Sequence, residues 1–280
     1  MNSALKKSVS TILNSSLKED KVSSDITTKT LIEDSNLTCE LLFKESGILC
    51  GTKIVNYLVK KFNNKIKIVW KLKEGSYVKK NTRVAIINGP GNKILTIERI
   101  LLNFLQKTSG IATTTYNFCK PIKNKKINIL DTRKTTPGWR LIEKYCVKIG
   151  GGENHRMDLS KLILIKDNHI KSLRGVEPTL TKLFKKKRLA PVEIEVKSLS
   201  QLDSALKFKI KRVMLDNFTV PNIKKAINKI RKYPGVEIEI SGGIDIPKIK
   251  KISSFDVDYI SVGTITHSSP SIDISMNVLK

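Results

Sequence analysis

The sequence has no run of apolar residues approaching the roughly 20 that a bilayer-spanning helix needs, which excludes an integral helical membrane protein. Cysteine is scarce. Cys39, Cys50, Cys119 and Cys146 form no CxxC pair and have no histidine at zinc-finger spacing, so neither a disulfide scaffold nor a zinc module is indicated. The opening stretch Met1-Asn2-Ser3-Ala4-Leu5-Lys6-Lys7 lacks the apolar core of a secretory signal, and a reducing cytoplasm is the expected setting. Acidic residues are few: 25 Asp and Glu face 52 Lys and Arg in 280 residues, a formal net charge of +27. A hydrophobic share of 40% excludes wholesale disorder and leaves ample material for a core.

So basic a chain ordinarily suggests nucleic acid, an anionic membrane or an anionic substrate. Arginine, however, is also scarce: nine of the 52 basic residues are Arg and 43 are Lys. Arginine is the usual residue for bidentate phosphate and base-edge recognition. The lysines are dispersed, with only short runs such as Lys185-Lys186-Lys187-Arg188. Most of the charge therefore reads as compositional bias laid over an ordinary fold, and neither a nucleic-acid nor a membrane partner is expected.

Up to about residue 110 the pattern is mixed α and β. Residues 4–20 and 96–109 have helical spacing, 65–72 and 83–87 alternate like strands, and Gly89-Pro90-Gly91 reads as a loop. After about residue 120 the rhythm changes. Six short apolar runs recur: 127–130, 162–165, 192–196, 213–215, 236–240 and 259–262. Each ends in a polar or glycine-rich cluster, and helical stretches such as 199–209 and 220–232 separate most of them. Alternating strand and helix implies parallel strands. Six strands are too few for a full eightfold barrel, and the G-x-G-x-x-G of a doubly wound dinucleotide fold is missing, so a smaller or incomplete barrel is favoured. In such a fold the polar clusters gather at the strand C-terminal ends, where active sites are built.

Three clusters could carry chemistry. Segment 130–169 holds Arg133, Lys134, His155, Arg156 and Lys166 around Gly150-Gly151-Gly152, a set suited to a substrate with several carboxylates or phosphates. Glu193 and Glu195 share one strand face, and two carboxylates inside a barrel need a basic partner or a metal. Glu195 and Asp216, on successive strands, could bind magnesium directly or through water. Ser241-Gly242-Gly243 and Gly263-Thr264 are successive glycine turns suited to phosphate, and His267 follows them.

Taken with their flanks, these segments resemble the quinolinate phosphoribosyltransferase family. The resemblance rests on DTRKTTPG (131–138), GGGENHR (150–156), LIKDNHI (164–170), VEIEV (192–196), MLDN (214–217), ISGGI (240–244) and YISVGTITHS (259–268), and upstream on 44–51 and 98–113. It implies an α/β fold: an N-terminal open α/β sandwich over residues 1–110, with the tail 268–280 packing back on it, and an incomplete α/β barrel over 111–267. It implies transfer of phosphoribosyl from phosphoribosyl pyrophosphate to quinolinate with loss of CO2, in de novo NAD synthesis, with Mg2+. Arg133, His155, Arg156 and Lys166 match the family's quinolinate pocket, with Lys134 at its margin. Arg99 matches an arginine supplied by a neighbouring subunit, so a homodimer or a hexamer is expected. Glu195 and Asp216 match carboxylates near the ribose and metal. Ser241, Gly242, Gly243, Gly263 and Thr264 match the 5′-phosphate loops. Trp139 and Cys146 depart from the family's usual residues and read as packing variation. A nicotinate phosphoribosyltransferase would lack the basic set for a second carboxylate.

Overall fold

The computed structural model describes residues 1–32, 35–186 and 190–279, so Lys187 and Arg188 of the short basic run lie outside the described residues. In chain order the elements are α1 (Ser3–Glu19), α2 (Ile26–Leu31), β1 (Asn36–Phe43), β2 (Gly47–Ile48), α3 (Thr52–Phe62), β3 (Lys67–Trp70), β4 (Tyr77–Val78), β5 (Thr82–Pro90), α4 (Gly91–Cys119) and β6 (Asn128–Leu130). They continue as α5 (Arg140–Ile149), β7 (Ile163–Ile165), α6 (Asp167–Ser172), α7 (Val176–Phe184), β8 (Val192–Val196), α8 (Leu199–Ala205), β9 (Arg212–Asp216) and α9 (Val220–Ile230). The last are β10 (Glu237–Ser241), α10 (Ile246–Ile252), β11 (Tyr259–Ser261), α11 (Thr264–His267) and β12 (Ile274–Val278). No described helix is long and apolar enough to cross a membrane.

Two compact units result. The first comprises 1–116, 134–151 and 264–280, and the second 117–133 and 152–263. Segments 134–151 and 264–267, expected within the barrel portion, group with the first unit.

The first unit is built on an antiparallel sheet in the order β12-β1-β5-β3. The tail strand β12 pairs with β1 from Cys39–Val278 to Phe43–Ile274. Val9 and Leu13 of α1 and Ile54, Leu58 of α3 are fully buried at helical spacing. The expected Gly89-Pro90-Gly91 loop is absent. Gly89 and Pro90 finish β5, paired with Leu37 and Asn36, and Gly91 opens α4 directly. Pro is compatible with the last residue of a strand, and Gly89 is required there because a Cβ would come within 2.9 Å of the Ile66 Cα. The helix expected over 96–109 accordingly runs from Gly91 to Cys119. Thr96 lies inside it and donates to Asp25 at 2.9 Å.

The second unit holds six parallel strands in the order β6-β11-β10-β9-β8-β7. No pairing joins β7 to β6 among the described residues, so the sheet curls without closing: an incomplete barrel. Ladder partners share a face, and the registers Glu193–Arg212, Arg212–Glu237 and Met214–Glu239 fix which one. One face carries Val192, Ile194, Val196, Val213, Leu215, Ile238, Ile240 and Ile260, all buried. Each contributes about 1.5–3 kcal/mol relative to exposure. The other face carries Glu193, Glu195, Arg212, Asp216, Glu239 and Ser241. The second unit thus turns an apolar surface to its helices and a polar one to its interior.

Candidate active site

Two layers of charge occupy that polar face. The inner one is buried. His155, Glu193 and Glu239 are each less than a tenth exposed. His155 reaches this layer because Glu153 runs alongside β6, bonded to Ile129 and Asp131, which carries the next residues into the interior. His155 Nε2 lies 3.3 Å from Glu193 Oε2 and 3.4 Å from Glu239 Oε2. Arg212 Nη1 lies 3.2 Å from Glu239 Oε2 and 3.9 Å from Glu193 Oε2. The Arg212 guanidinium also binds Glu237 at 3.0 Å and stacks 3.9 Å above the Tyr259 ring. Burial disfavours a charged His155 ring, while the two carboxylates facing Nε2 favour a proton on that nitrogen. Glu193 is pushed up by burial and then by Glu239. Burial acts the same way on Glu239, yet His155 and Arg212 hold it below the usual carboxylate range.

The ligand atoms of His155, Glu193 and Glu239 lie within 4.8 Å of one another, a spacing a metal ion could use. Arg212 already supplies an opposing charge and the His155 ring a facing nitrogen, so the two carboxylates have partners within the protein. His155 and Arg212 also border a cavity of about 410 Å³ with Asn128, Leu130, Arg156 and Tyr259.

The rim is formed by the strand C-terminal ends, and its charges are poorly compensated. Arg133 follows β6, and its Nε is buried with no hydrogen-bond partner among the described residues. Arg156 is half-buried and gives Nη1 to the Leu162 carbonyl at 2.8 Å. Its pKa is lowered, first by burial and then by the Arg133 guanidinium. Lys166 is exposed at the end of β7, one residue past the Ile165–Ile194 pair, which puts it beside Glu195. Glu195 is half-buried and pushed up by burial, then by Asp216 and Asp167. Asp216 ends β9 and accepts from Asn217 Nδ2 at 3.1 Å.

Ser241 ends β10, and Gly242 and Gly243 both take left-handed φ values of 84° and 56°. At Gly242 a Cβ would lie 2.3 Å from Asn217 Oδ1, so only glycine fits this turn. Gly263 follows β11. The second unit therefore brings Arg133, His155, Arg156, Lys166, Glu195, Asp216, Ser241, Gly242, Gly243 and Gly263 to the ends or interior of one sheet.

Lys134, Thr264 and Arg99 belong to the first unit. Arg99 is exposed on α4. The segment after Lys134 is held firmly: the Lys134 carbonyl accepts from Thr266 Oγ1 at 2.8 Å, and Thr136 N donates to buried Glu143 at 3.2 Å. Trp139 stacks on Phe104 with ring centroids 5.2 Å apart, and Cys146 is fully buried, as packing residues should be. His267 is exposed against Ser268.

The residues missed from the sequence are Glu239 and Arg212. Glu239 sits in an alternating run (EIEIS) like that of Glu193, and the same period-two argument applied to β10 would have found it. Arg212 carried no motif.

The chain is similar to known proteins over most of its length. The model of the quinolinate phosphoribosyl transferase C-terminal domain matches residues 111–277, and that of the N-terminal domain matches 25–109. Nicotinate-nucleotide pyrophosphorylase [carboxylating] of Arabidopsis thaliana is 35% identical over 264 residues, covering 88% of this chain and 75% of that one. A probable nicotinate-nucleotide pyrophosphorylase [carboxylating] of Bacillus subtilis is 33% identical, covering 95% and 92%. The solved nicotinate-nucleotide pyrophosphorylase of Francisella tularensis superposes with a TM-score of 0.91 at 40% identity, over 98% of this chain and 97% of that one. Two domain models in order, a shared fold and relatives matched over most of their length give one conclusion: the chain belongs to the quinolinate phosphoribosyltransferase family.

Proposed function

We propose that the rim is where this chain joins quinolinate to phosphoribosyl pyrophosphate, yielding nicotinate mononucleotide, pyrophosphate and CO2 in NAD synthesis. The observation that carries the site assignment is the proximity of Arg133 and Arg156, two part-buried guanidiniums that repel each other. Like charges held together away from water are unfavourable until an anion joins them, and quinolinate offers two adjacent carboxylates. Arg133, Arg156 and Lys166 hold these, with His155 behind them. Ser241, Gly242, Gly243, Gly263 and Thr264 take the 5′-phosphate, and Lys134 the phosphoribosyl pyrophosphate.

The pyridine nitrogen attacks the anomeric carbon while the bond to pyrophosphate breaks with its electron pair. Positive charge develops on the ribose, and Glu195 and Asp216 stabilise it. The C2–carboxylate bond then breaks, its electrons pass to the ring, and C2 takes a proton. Glu195 and Asp216 also fit a divalent cation, directly or through water, because burial and the Asp216 carboxylate make Glu195 costly to ionise and a cation relieves that cost. Those two carboxylates would hold magnesium, which would supply positive charge against the departing pyrophosphate.

Arg99, exposed on α4, is offered to a second copy of the chain, making a homodimer or a hexamer the working unit. A reducing cytoplasm suits the four free cysteines.

Release of CO2 from carboxyl-labelled quinolinate, dependent on phosphoribosyl pyrophosphate and Mg2+, tests the reading. Consumption of nicotinate without turnover of quinolinate contradicts it. Mixing Arg99→Ala with Lys166→Ala subunits tests the shared site: partial recovery of activity supports it, and no recovery argues for a self-contained one.

A further inference from the structure

The rim alone does not explain why His155 faces inward. Both its ring nitrogens are engaged within the protein. Nδ1 accepts the Arg156 backbone N–H at 2.7 Å, and Nε2 faces Glu193 and Glu239. Its own backbone N–H donates to Asp131 Oδ1 at 2.9 Å. An N–H pointing at Nδ1 excludes a proton there, so the ring proton belongs on Nε2, toward the carboxylates. Behind Glu239 stands Arg212, itself fixed by Glu237 and the Tyr259 ring. A continuous chain of contacts therefore runs Tyr259–Arg212–Glu239–His155–Arg156, from four parts of the sequence.

We propose that Glu239 and Arg212 are positioning residues for the quinolinate pocket: they lock His155 with Nε2–H inward and Nδ1 on the Arg156 amide, and so fix the backbone from which Arg156 reaches the substrate. The proposal rests on the assignment of Arg156 to quinolinate, but its first readout needs no substrate. Neither residue touches the rim charges directly. Their effect on binding passes through His155 alone, which separates this role from that of Arg133 or Lys166. The geometry also assigns His155 a different part from a carboxylate donor, since neither of its nitrogens is turned to the rim.

The test is 15N spectroscopy of the full chain labelled at histidine. There are three histidines, His155, His169 and His267, and His155→Gln identifies the signal. The expected result is a proton bonded to Nε2 of His155, retained from about pH 6 to about pH 8, with Nδ1 unprotonated. Glu239→Gln should divide the proton between the two nitrogens, and Glu239→Asp should restore Nε2–H in part. In turnover, Glu239→Gln should raise KM for quinolinate about tenfold, the value of one charged hydrogen bond, with KM for phosphoribosyl pyrophosphate within about twofold. Arg212→Lys should shift the same two readouts more weakly.

A His155 ring with its proton on Nδ1, or a Glu239→Gln protein with unchanged ring signals and unchanged quinolinate KM, overturns the proposal. So does a shift of the His155 signals on adding Zn2+ alone, which would make the layer a metal site. If Glu239→Gln does not fold, the wild-type ring spectrum and Arg212→Lys still decide. A chain with the expected ring spectrum but no quinolinate turnover would refute the functional reading and leave the lock intact.

Discussion

The two charged layers of the second unit use the same residue types to opposite ends. In the inner layer each carboxylate faces a basic side chain within 4 Å: Glu193 and Glu239 face His155 and Arg212, and Arg212 also faces Glu237. On the rim, Arg133 stands beside Arg156 and Glu195 beside Asp216, like against like, with Lys166 and Lys197 offsetting only part of the effect on Glu195. Burial without compensation is costly, so the rim keeps its arrangement only because the rest of the barrel imposes it. On the proposed reading the inner layer is stabilising architecture that orients one ring, whereas the rim serves to take up anions and a cation. A third population, the dispersed surface lysines that dominate the +27 charge, does neither.

This contrast can be broken at several points, ordered by size. Arg212→Ala removes the guanidinium from two buried carboxylates, and should lower unfolding free energy by about 3–5 kcal/mol in urea titrations. A loss below about 1 kcal/mol would mean the inner layer is not held by charge. Arg156→Ala should cut kcat/KM for quinolinate by about a hundredfold, the loss of one or two charge-assisted hydrogen bonds, while far-ultraviolet dichroism stays native. Gly242→Ala places a methyl on Asn217 at a left-handed φ of 84°. It should cost about 1–3 kcal/mol of stability and raise KM for phosphoribosyl pyrophosphate more than for quinolinate. At the small end, Asp203→Asn breaks a surface pair with Lys229, 2.7 Å apart and about half exposed, and should change stability by less than about 0.5 kcal/mol.

The rim was readable in the sequence because its residues sit at strand ends, and a strand end shows wherever an apolar run stops. Lys166, Asp216 and Ser241 each follow such a run directly and Arg133 comes two residues later than that, and parallel strands bring all such ends to one side. The incomplete barrel followed from the same count of runs. The inner layer was only half readable. Glu193 showed through its alternation with Glu195, but its partners lie on β9 and β10, and only the parallel register puts Arg212 between Glu193 and Glu237. His155 looked like a rim residue because GGGENHR reads as a loop. Its pairing beside β6, through Glu153, turns it inward. In the first unit, Gly89-Pro90-Gly91 looked like a loop on composition alone. A strand that ends at Pro90 and a helix that begins at Gly91 need no connection between them, and no local signal distinguishes that junction from a turn.

That the rim exists for substrate and not for stability is tested most directly at Arg133, whose Nε has no partner among the described residues. The measurement is calorimetric titration of quinolinate into the wild type and Arg133→Ala, with the melting temperature of each recorded on the same samples. Binding should weaken by about a hundredfold while the melting temperature holds or rises, since removing one guanidinium relieves its neighbour. Retained affinity, or a melting temperature several degrees lower, would contradict the division of the barrel into a compensated interior and an expectant rim.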